Sequence, residues 1–348
     1  MKKNKKDSKE QSKKKEVNYP NIAVLGGGSW ATALVKILSE NLDSLHWYMR
    51  SESAADHIRR YGNNPNYISA AELDPGKLQL TNDINSAVAA CDWLILAIPS
   101  AFLVQELEKL QIPLKDKVLF SAVKGIVPES GQIVGEHLHE HFDIPYENIG
   151  VIAGPCHAEE VALERLSYLT LACADTDKAE IMSDCLQCDY INTAVSKDII
   201  GTEYAAMLKN IYALAAGIAH GLGYGDNYQA VLMSNAIREM KRYVKRRYNI
   251  DRNINHSAYL GDLLVTGYST FSRNRMFGNM IGKGYTVKSA MMEMNMVAEG
   301  YYATRSAYEI KKSFTKKVKT PIIDAVYGIL YEKKNPRKEF AQLSEKMV

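Results

Sequence analysis

From Asn21 to about Ala194, short apolar and β-branched runs alternate with amphipathic stretches. The runs predict strands at Asn21–Leu25, Leu45–Met49, Leu78–Thr81, Trp93–Ile98, Lys117–Ser121, Ile149–Ala153, Tyr168–Cys173 and Tyr190–Ala194. A helical stretch from Trp30 to about Asn41 follows the first of them. Strands alternating with helices predict βαβ units and a largely parallel sheet covered on both faces.

After about Lys197 the period changes. The segment "IIGTEYAAMLKNIYALAAGIAHGLGYG" is long, rich in Ala and Leu, and helical in its spacing. Further helices are predicted at Tyr228–Arg247, Ser257–Thr266, Thr286–Ile310 and Pro321–Glu332. No convincing strand is read in this half. The expected architecture is an α/β domain over residues 17–197 and an all-helical domain over 198–348, preceded by a disordered basic tail at 1–16.

Composition adds limits. The 348 residues are 46% hydrophobic and 24% charged, ordinary for a globular protein with a sizeable core. No apolar run approaches the ~20 residues of a membrane span. The opening stretch lacks the apolar core of a secretory signal, is poor in Arg and carries acids, so it is read as a solvated tail. With 43 basic and 40 acidic residues, much of the net charge of +3 lies in that tail, and no nucleic-acid-binding body is expected. Five scattered cysteines fit a reducing cytoplasm. Cys185 and Cys188 form a CxxC without a matching second pair or histidines, so no metal is expected.

The first strand runs into "GGGSWATA", a GxGxxA of Gly26, Gly28 and Ala31. Gly26 would make the turn, Gly28 would admit a pyrophosphate, and Ala31 would let the helix pack closely on the strand. Free N–H groups at the helix start would face the phosphates. This predicts a Rossmann-like, doubly wound dinucleotide-binding sheet. The second strand ends in "HWYMRSES", making Arg50 the candidate reader of the adenosine ribose. An Arg there leans towards NADP, although Glu52 nearby keeps NAD open, and a solvated loop arginine is the alternative.

Two later strand ends, "LILAIPS" and "LFSAVKG", bring Pro99 and Lys124 to the carboxyl rim where ligands bind. Lys209 lies in "AAMLKNIYALAAG", a helix apolar nearly all round, with Asn210 beside it. Burial lowers a lysine pKa towards neutrality, the condition a general acid–base needs. Asp262 follows Gly261, and "SRNR", Ser272 to Arg275, suits a phosphate dianion.

The blocks "GGGSWATAL", "AIPS", "AVKG", "AGPCHAEEVA", "LKNIYALAAG", "GDLLVT" and "SRNR" occur in one order across nearly the whole chain after the tail. Together they resemble NAD(P)-dependent glycerol-3-phosphate dehydrogenase of the bacterial type. The resemblance implies NAD or NADP as cofactor and interconversion of dihydroxyacetone phosphate with sn-glycerol 3-phosphate, feeding phospholipid synthesis. It implies Lys209 as catalytic acid–base, with Lys124 and Asp262 assisting. Ser29, Trp30, Arg50, Lys124, Ala158, Arg273, Val297 and Glu299 are implied to meet the cofactor. Lys124, Gly154, Cys156, Lys209, Asn210, Asp262, Ser272, Arg273 and Asn274 are implied to meet the substrate. One departure stands out: Cys156 and His157 occupy positions where the family often has a hydroxyl residue followed by an aromatic. Another two-domain hydroxyacid dehydrogenase and a non-catalytic dinucleotide sensor are the rival readings. The long apolar helical faces also suggest a homodimer.

Overall fold

The computed structural model describes residues 19–294 and 298–348. The tail at 1–16 and Val297 lie outside the described residues.

The first part of the chain runs β1 (Ile22–Leu25), α1 (Ser29–Leu38), β2 (Leu45–Tyr48), α2 (Glu52–Tyr61), β3 (Leu78–Thr81), α3 (Ile84–Ala90), β4 (Trp93–Leu96), α4 (Ser100–Leu107) and β5 (Val118–Ser121). A hairpin, β6 (Ile126–Val127) and β7 (Gln132–Ile133), leads to α5 (Val134–Phe142). Then come β8 (Ile149–Ala153), α6 (Ala158–Ala162), β9 (Ser167–Cys173), α7 (Thr176–Leu186) and β10 (Ile191–Ser196). The main sheet is ordered β10-β9-β8-β5-β4-β1-β2-β3. The stretch β3-β2-β1-β4-β5-β8 is wholly parallel, and its direction of winding reverses between β1 and β4. That is the doubly wound order, with its ligand crevice at the reversal. The β8–β9 pair is antiparallel, so β9 and β10 run against the rest.

Each face of the sheet is packed. Leu34 and Leu38 of α1 join Val161 of α6 and Met182 of α7 on one side. Val88 of α3, Leu103 of α4 and Leu138 of α5 cover the other.

Helices follow: α8 (Ile199–Gly221), α9 (Asp226–Arg247), a wide turn at Ser257–Gly261, α10 (Asp262–Tyr268), α11 (Arg273–Gly282), α12 (Val287–Glu293), α13 (Glu299–Lys312), α14 (Pro321–Tyr331) and α15 (Pro336–Ser344). Helix α8 is the axis of this half and is buried almost throughout. Helix α11 crosses it at backbone contact. A Cβ on Gly278 would lie 2.1 Å from the Leu214 carbonyl oxygen, and one on Gly217 2.1 Å from that of Arg275. Gly221 and Gly282 close the same crossing, with 2.3 Å to the Asn279 and Ile218 oxygens. Side chains there would hold the helices at the ordinary 8–10 Å spacing.

The continuous helix expected over Thr286–Ile310 is two helices. The first ends before Met294 and the second starts at Glu299. Tertiary docking overrides periodicity at the restart: the Gly300 N–H donates to Asn274 Oδ1 at 2.7 Å, and a Cβ on Gly300 would lie 2.6 Å from the Asn210 carbonyl oxygen.

Candidate active site

A cleft of about 640 Å³ opens at the carboxyl rim of β1, β4 and β5, opposite α8, α11 and the start of α13. This volume is ordinary for a small-molecule site.

The glycine loop forms one wall. Gly26 has φ +133°, and a Cβ there would sit 2.4 Å from the Ala97 carbonyl oxygen, so only glycine fits between β1 and β4. The Trp47 indole donates to the Gly26 carbonyl at 2.6 Å, and Asn64 Nδ2 donates to the Gly27 carbonyl at 3.2 Å and to Thr32 Oγ1 at 2.8 Å. Gly28 faces open space. It is the N-cap of α1, where no side chain caps the first amides. Those N–H groups and the helix dipole suit a pyrophosphate, so the loop fits a dinucleotide. Ala31, in the first turn of α1, is fully buried.

The floor is an ion pair. Lys209 of α8 is 3% exposed and donates to Asp262 Oδ1, at the first turn of α10. Burial lowers the Lys209 ammonium from its usual 10.5 to about 8, with Asp262 opposing the fall and Lys124 adding to it. Lys124 sits just past β5, with its Nζ 4.5 Å from the centre of the Trp30 ring. A cation over an indole face is attracted by the ring quadrupole.

A chain of amides ties these elements together. Asn210 Nδ2 donates to the Lys124 carbonyl at 2.7 Å and to Ala206 O at 3.2 Å. Asn274 Nδ2 donates to Asn210 Oδ1 at 3.0 Å, and Asn274 Oδ1 accepts from Gly300. Ser272 caps α11, accepting from the Arg275 N–H at 3.3 Å, so Arg273 opens that helix at the cleft. Across the mouth, Ser100 Oγ donates to Glu299 Oε2 at 2.8 Å. Burial raises the Glu299 carboxyl, and the Ser100 hydroxyl partly offsets this. A Cβ on Gly125 would meet both groups, at 2.6 and 2.7 Å.

Gly28, Ser29, Trp30, Lys124, Cys156, Ala158, Lys209, Asn210, Ser272, Arg273, Asn274 and Glu299 all line the one cleft. Others do not. Asp262 lies behind Lys209. Gly154, with φ +118° and a position where a Cβ would lie 2.6 Å from the Tyr168 carbonyl oxygen, makes the turn out of β8. Arg50 stands apart in a shallow depression of about 200 Å³ with Tyr48, Asp83 and Lys109. Its guanidinium is 5.7 Å from the Phe102 ring, which lines the main cleft, and 3.8 Å from Glu106. Burial pushes the Cys156 thiol up to about 12, leaving it neutral and a poor nucleophile.

Sequence reasoning missed Thr266, His157 and Phe271 as lining residues. Thr266 lies four residues after Asp262 on α10, on the same helical face, and its hydroxyl donates to the Asp262 carbonyl at 2.6 Å.

Two family models match end to end: NAD-dependent glycerol-3-phosphate dehydrogenase N-terminus over residues 21–179 and C-terminus over 198–341. The chain belongs to the NAD-dependent glycerol-3-phosphate dehydrogenase family. A curated relative from Lysinibacillus sphaericus, "Glycerol-3-phosphate dehydrogenase [NAD(P)+]", is 37% identical, covering 91% of this chain and 93% of its own. One from Exiguobacterium with the same description is 35% identical over 93% and 94%. The crystal structure of glycerol-3-phosphate dehydrogenase from Coxiella burnetii superposes with a TM-score of 0.85 at 25% identity, covering 94% of this chain and 99% of that one. A D-mandelate dehydrogenase complex with NADH shares the fold more loosely, at TM-score 0.56 and 17% identity, covering 90% and 98%. Among the described residues no helix is long and apolar enough to cross a membrane, and no cluster of three or more metal-ligating side chains occurs.

Proposed function

We propose that this protein interconverts dihydroxyacetone phosphate and sn-glycerol 3-phosphate with NAD(P)H. The observation that carries the reading is the buried Lys209–Asp262 pair at the floor of a cleft walled by the glycine loop, Lys124 and Arg273. When bound on the glycine loop, the nicotinamide supplies or accepts the hydride. In the reducing direction Lys209, as ammonium, gives a proton to the carbonyl oxygen as its charge develops. Asp262 holds that ammonium in place, and Lys124 adds positive charge at the same oxygen. Arg273 clamps the phosphate from the start of α11, so that binding energy remote from the reacting carbon fixes its geometry. Asn210 and Asn274 spend their amides on the protein and keep Lys124, Lys209 and Arg273 in register. Arg50 takes the adenosine end of the cofactor, with a lean towards NADP.

The product is a backbone for phospholipid synthesis, and this is the role we assign in the cell. Five unpaired cysteines suit a reducing cytoplasm. Exposed Leu264, Tyr268, Phe271 and Met276 support a homodimer through the helical half.

The test is oxidation of NADH and NADPH, followed by absorbance, with dihydroxyacetone phosphate and with unphosphorylated dihydroxyacetone. Turnover of the phosphate ester alone supports the reading. Intact cofactor binding with no turnover of the ester defeats it.

A further inference from the structure

Among the described side chains that line the cleft, two carry a buried nitrogen with no hydrogen-bond partner: Trp30 Nε1 and His157 Nε2. The indole is a donor. His157 is different. It is the N-cap of the short helix α6 and packs 6.3 Å from the Phe271 ring, next to Ser272 and Arg273. A Val265 backbone group lies close to the ring, and the neutral Nδ1–H tautomer leaves the unpartnered Nε2 a lone-pair acceptor. Burial, with Lys124 and Lys209 close by, lowers the ring to about 4, so it stays neutral under working conditions.

The chemistry of the lining makes this acceptor informative. Lys124, Lys209, Arg273 and Trp30 can only donate. Asn210 Oδ1 and Asn274 Oδ1 are already taken within the protein. A ketone phosphate presents acceptors at its carbonyl and phosphate, which match those donors. Dihydroxyacetone phosphate presents one donor, its free hydroxyl.

We propose that His157 Nε2 accepts the free hydroxyl of the substrate and thereby selects hydroxyketone phosphates over ketone phosphates lacking that group. The proposal rests on the reading of the cleft as a dihydroxyacetone phosphate site. His157 acts on specificity and positioning; the proton still moves through Lys209.

The experiment compares kcat/KM for dihydroxyacetone phosphate and for acetonyl phosphate, which has a methyl in place of the hydroxymethyl. Both are measured on the same preparations of the full chain. The unsubstituted protein is expected to prefer the hydroxyketone by about 10–100-fold, the scale of one buried hydrogen-bonding group left unpaired. In His157→Phe the value for dihydroxyacetone phosphate falls by about that factor while acetonyl phosphate is nearly unaffected, so the preference collapses. His157→Gln offers an amide oxygen and restores most of it. An equal loss on both substrates in His157→Phe, or an unchanged preference in that variant, overturns the proposal. If His157→Phe does not fold, failure of the unsubstituted protein to discriminate, or an undiminished preference in His157→Leu, does the same. No turnover of either ester by the unsubstituted protein would instead defeat the functional reading beneath it.

Discussion

Lys209 and Asp262 meet at the floor of the cleft, one from the middle of α8 and the other from the first turn of α10, both nearly sealed from water. The pair couples chemistry to stability. Lys209→Ala removes the proposed proton donor, and turnover is expected to fall by about 10²–10⁴-fold, the span of general acid–base catalysis. It also strands a buried carboxylate, so unfolding free energy should drop by about 3–5 kcal/mol. Lys209→Ala with Asp262→Leu should recover stability without activity. Steady-state kinetics and urea titration separate the two effects, and full turnover in Lys209→Ala would remove this lysine from the mechanism.

The lowered Lys209 pKa sets a pH signature with opposite signs in the two directions. Ketone reduction needs the ammonium, so its rate should fall as pH rises through about 8. Alcohol oxidation needs the free amine, so its rate should fall as pH drops through the same value. For stability the sign also follows from the depression. Between about 8 and the usual 10.5 the unfolded chain holds more protons than the folded one, so this group makes folding more favourable as pH rises. Rate profiles in both directions, from pH 6 to 10, check the first claim. Parallel profiles with no crossing would refute it.

Much of this was legible in the sequence because the signals were local. Leu78–Thr81 and Ile149–Ala153 are the strands their apolar runs predict, and the glycine loop sits where the strand–turn–helix pattern puts it. What escaped was long-range or weakly patterned. Helix α11 is polar on average and is held by glycine contacts with α8, which no periodicity reports, although Ser272 is a cap signal. The start of α15 carried an unread signal in Asn335–Pro336, an N-cap followed by proline. The restart at Glu299 is held by Asn274, which accepts from Gly300, 26 residues later in the chain. Asp262 read both as an assistant of Lys209 and as a substrate contact; the structure pairs it with Lys209, behind the cleft lining.

The glycine crossing that positions Arg273 can be tested directly. Gly278→Ala places a methyl group against the Leu214 carbonyl and must push α11 away from α8. The overlap outweighs the ~1 kcal/mol that alanine gains over glycine inside a helix. A net loss of about 1–3 kcal/mol is expected. The Asn274–Asn210 bond should loosen with it, raising KM for the phosphate ester more than it lowers kcat. Gly225→Ser, at the open N-cap of α9, should leave stability within a few tenths of a kcal/mol. Equal thermal melting of the two variants would show that the crossing is not tight.

Arg50 is predicted to discriminate between the two cofactors. Its side chain is 63% exposed, its Glu106 contact is long, and it lies against Phe102 at the edge of the cleft. Glu106 is itself engaged by Tyr48 at 2.6 Å and Lys109 at 2.9 Å, so Arg50 can leave it at little cost. A 2′-phosphate would gain a charge-assisted bond from the freed guanidinium, with Lys109 in the same depression. Arg50→Ala is therefore expected to raise KM for NADPH by about 10–100-fold, the loss of one hydrogen bond to a charged group. NADH, with only a hydroxyl at that position, should change by no more than a few-fold. Raising ionic strength should weaken NADPH more than NADH in the unsubstituted protein, and the difference should shrink in Arg50→Ala. An equal loss for both cofactors would place Arg50 on the adenine face they share and leave the choice between them to other residues.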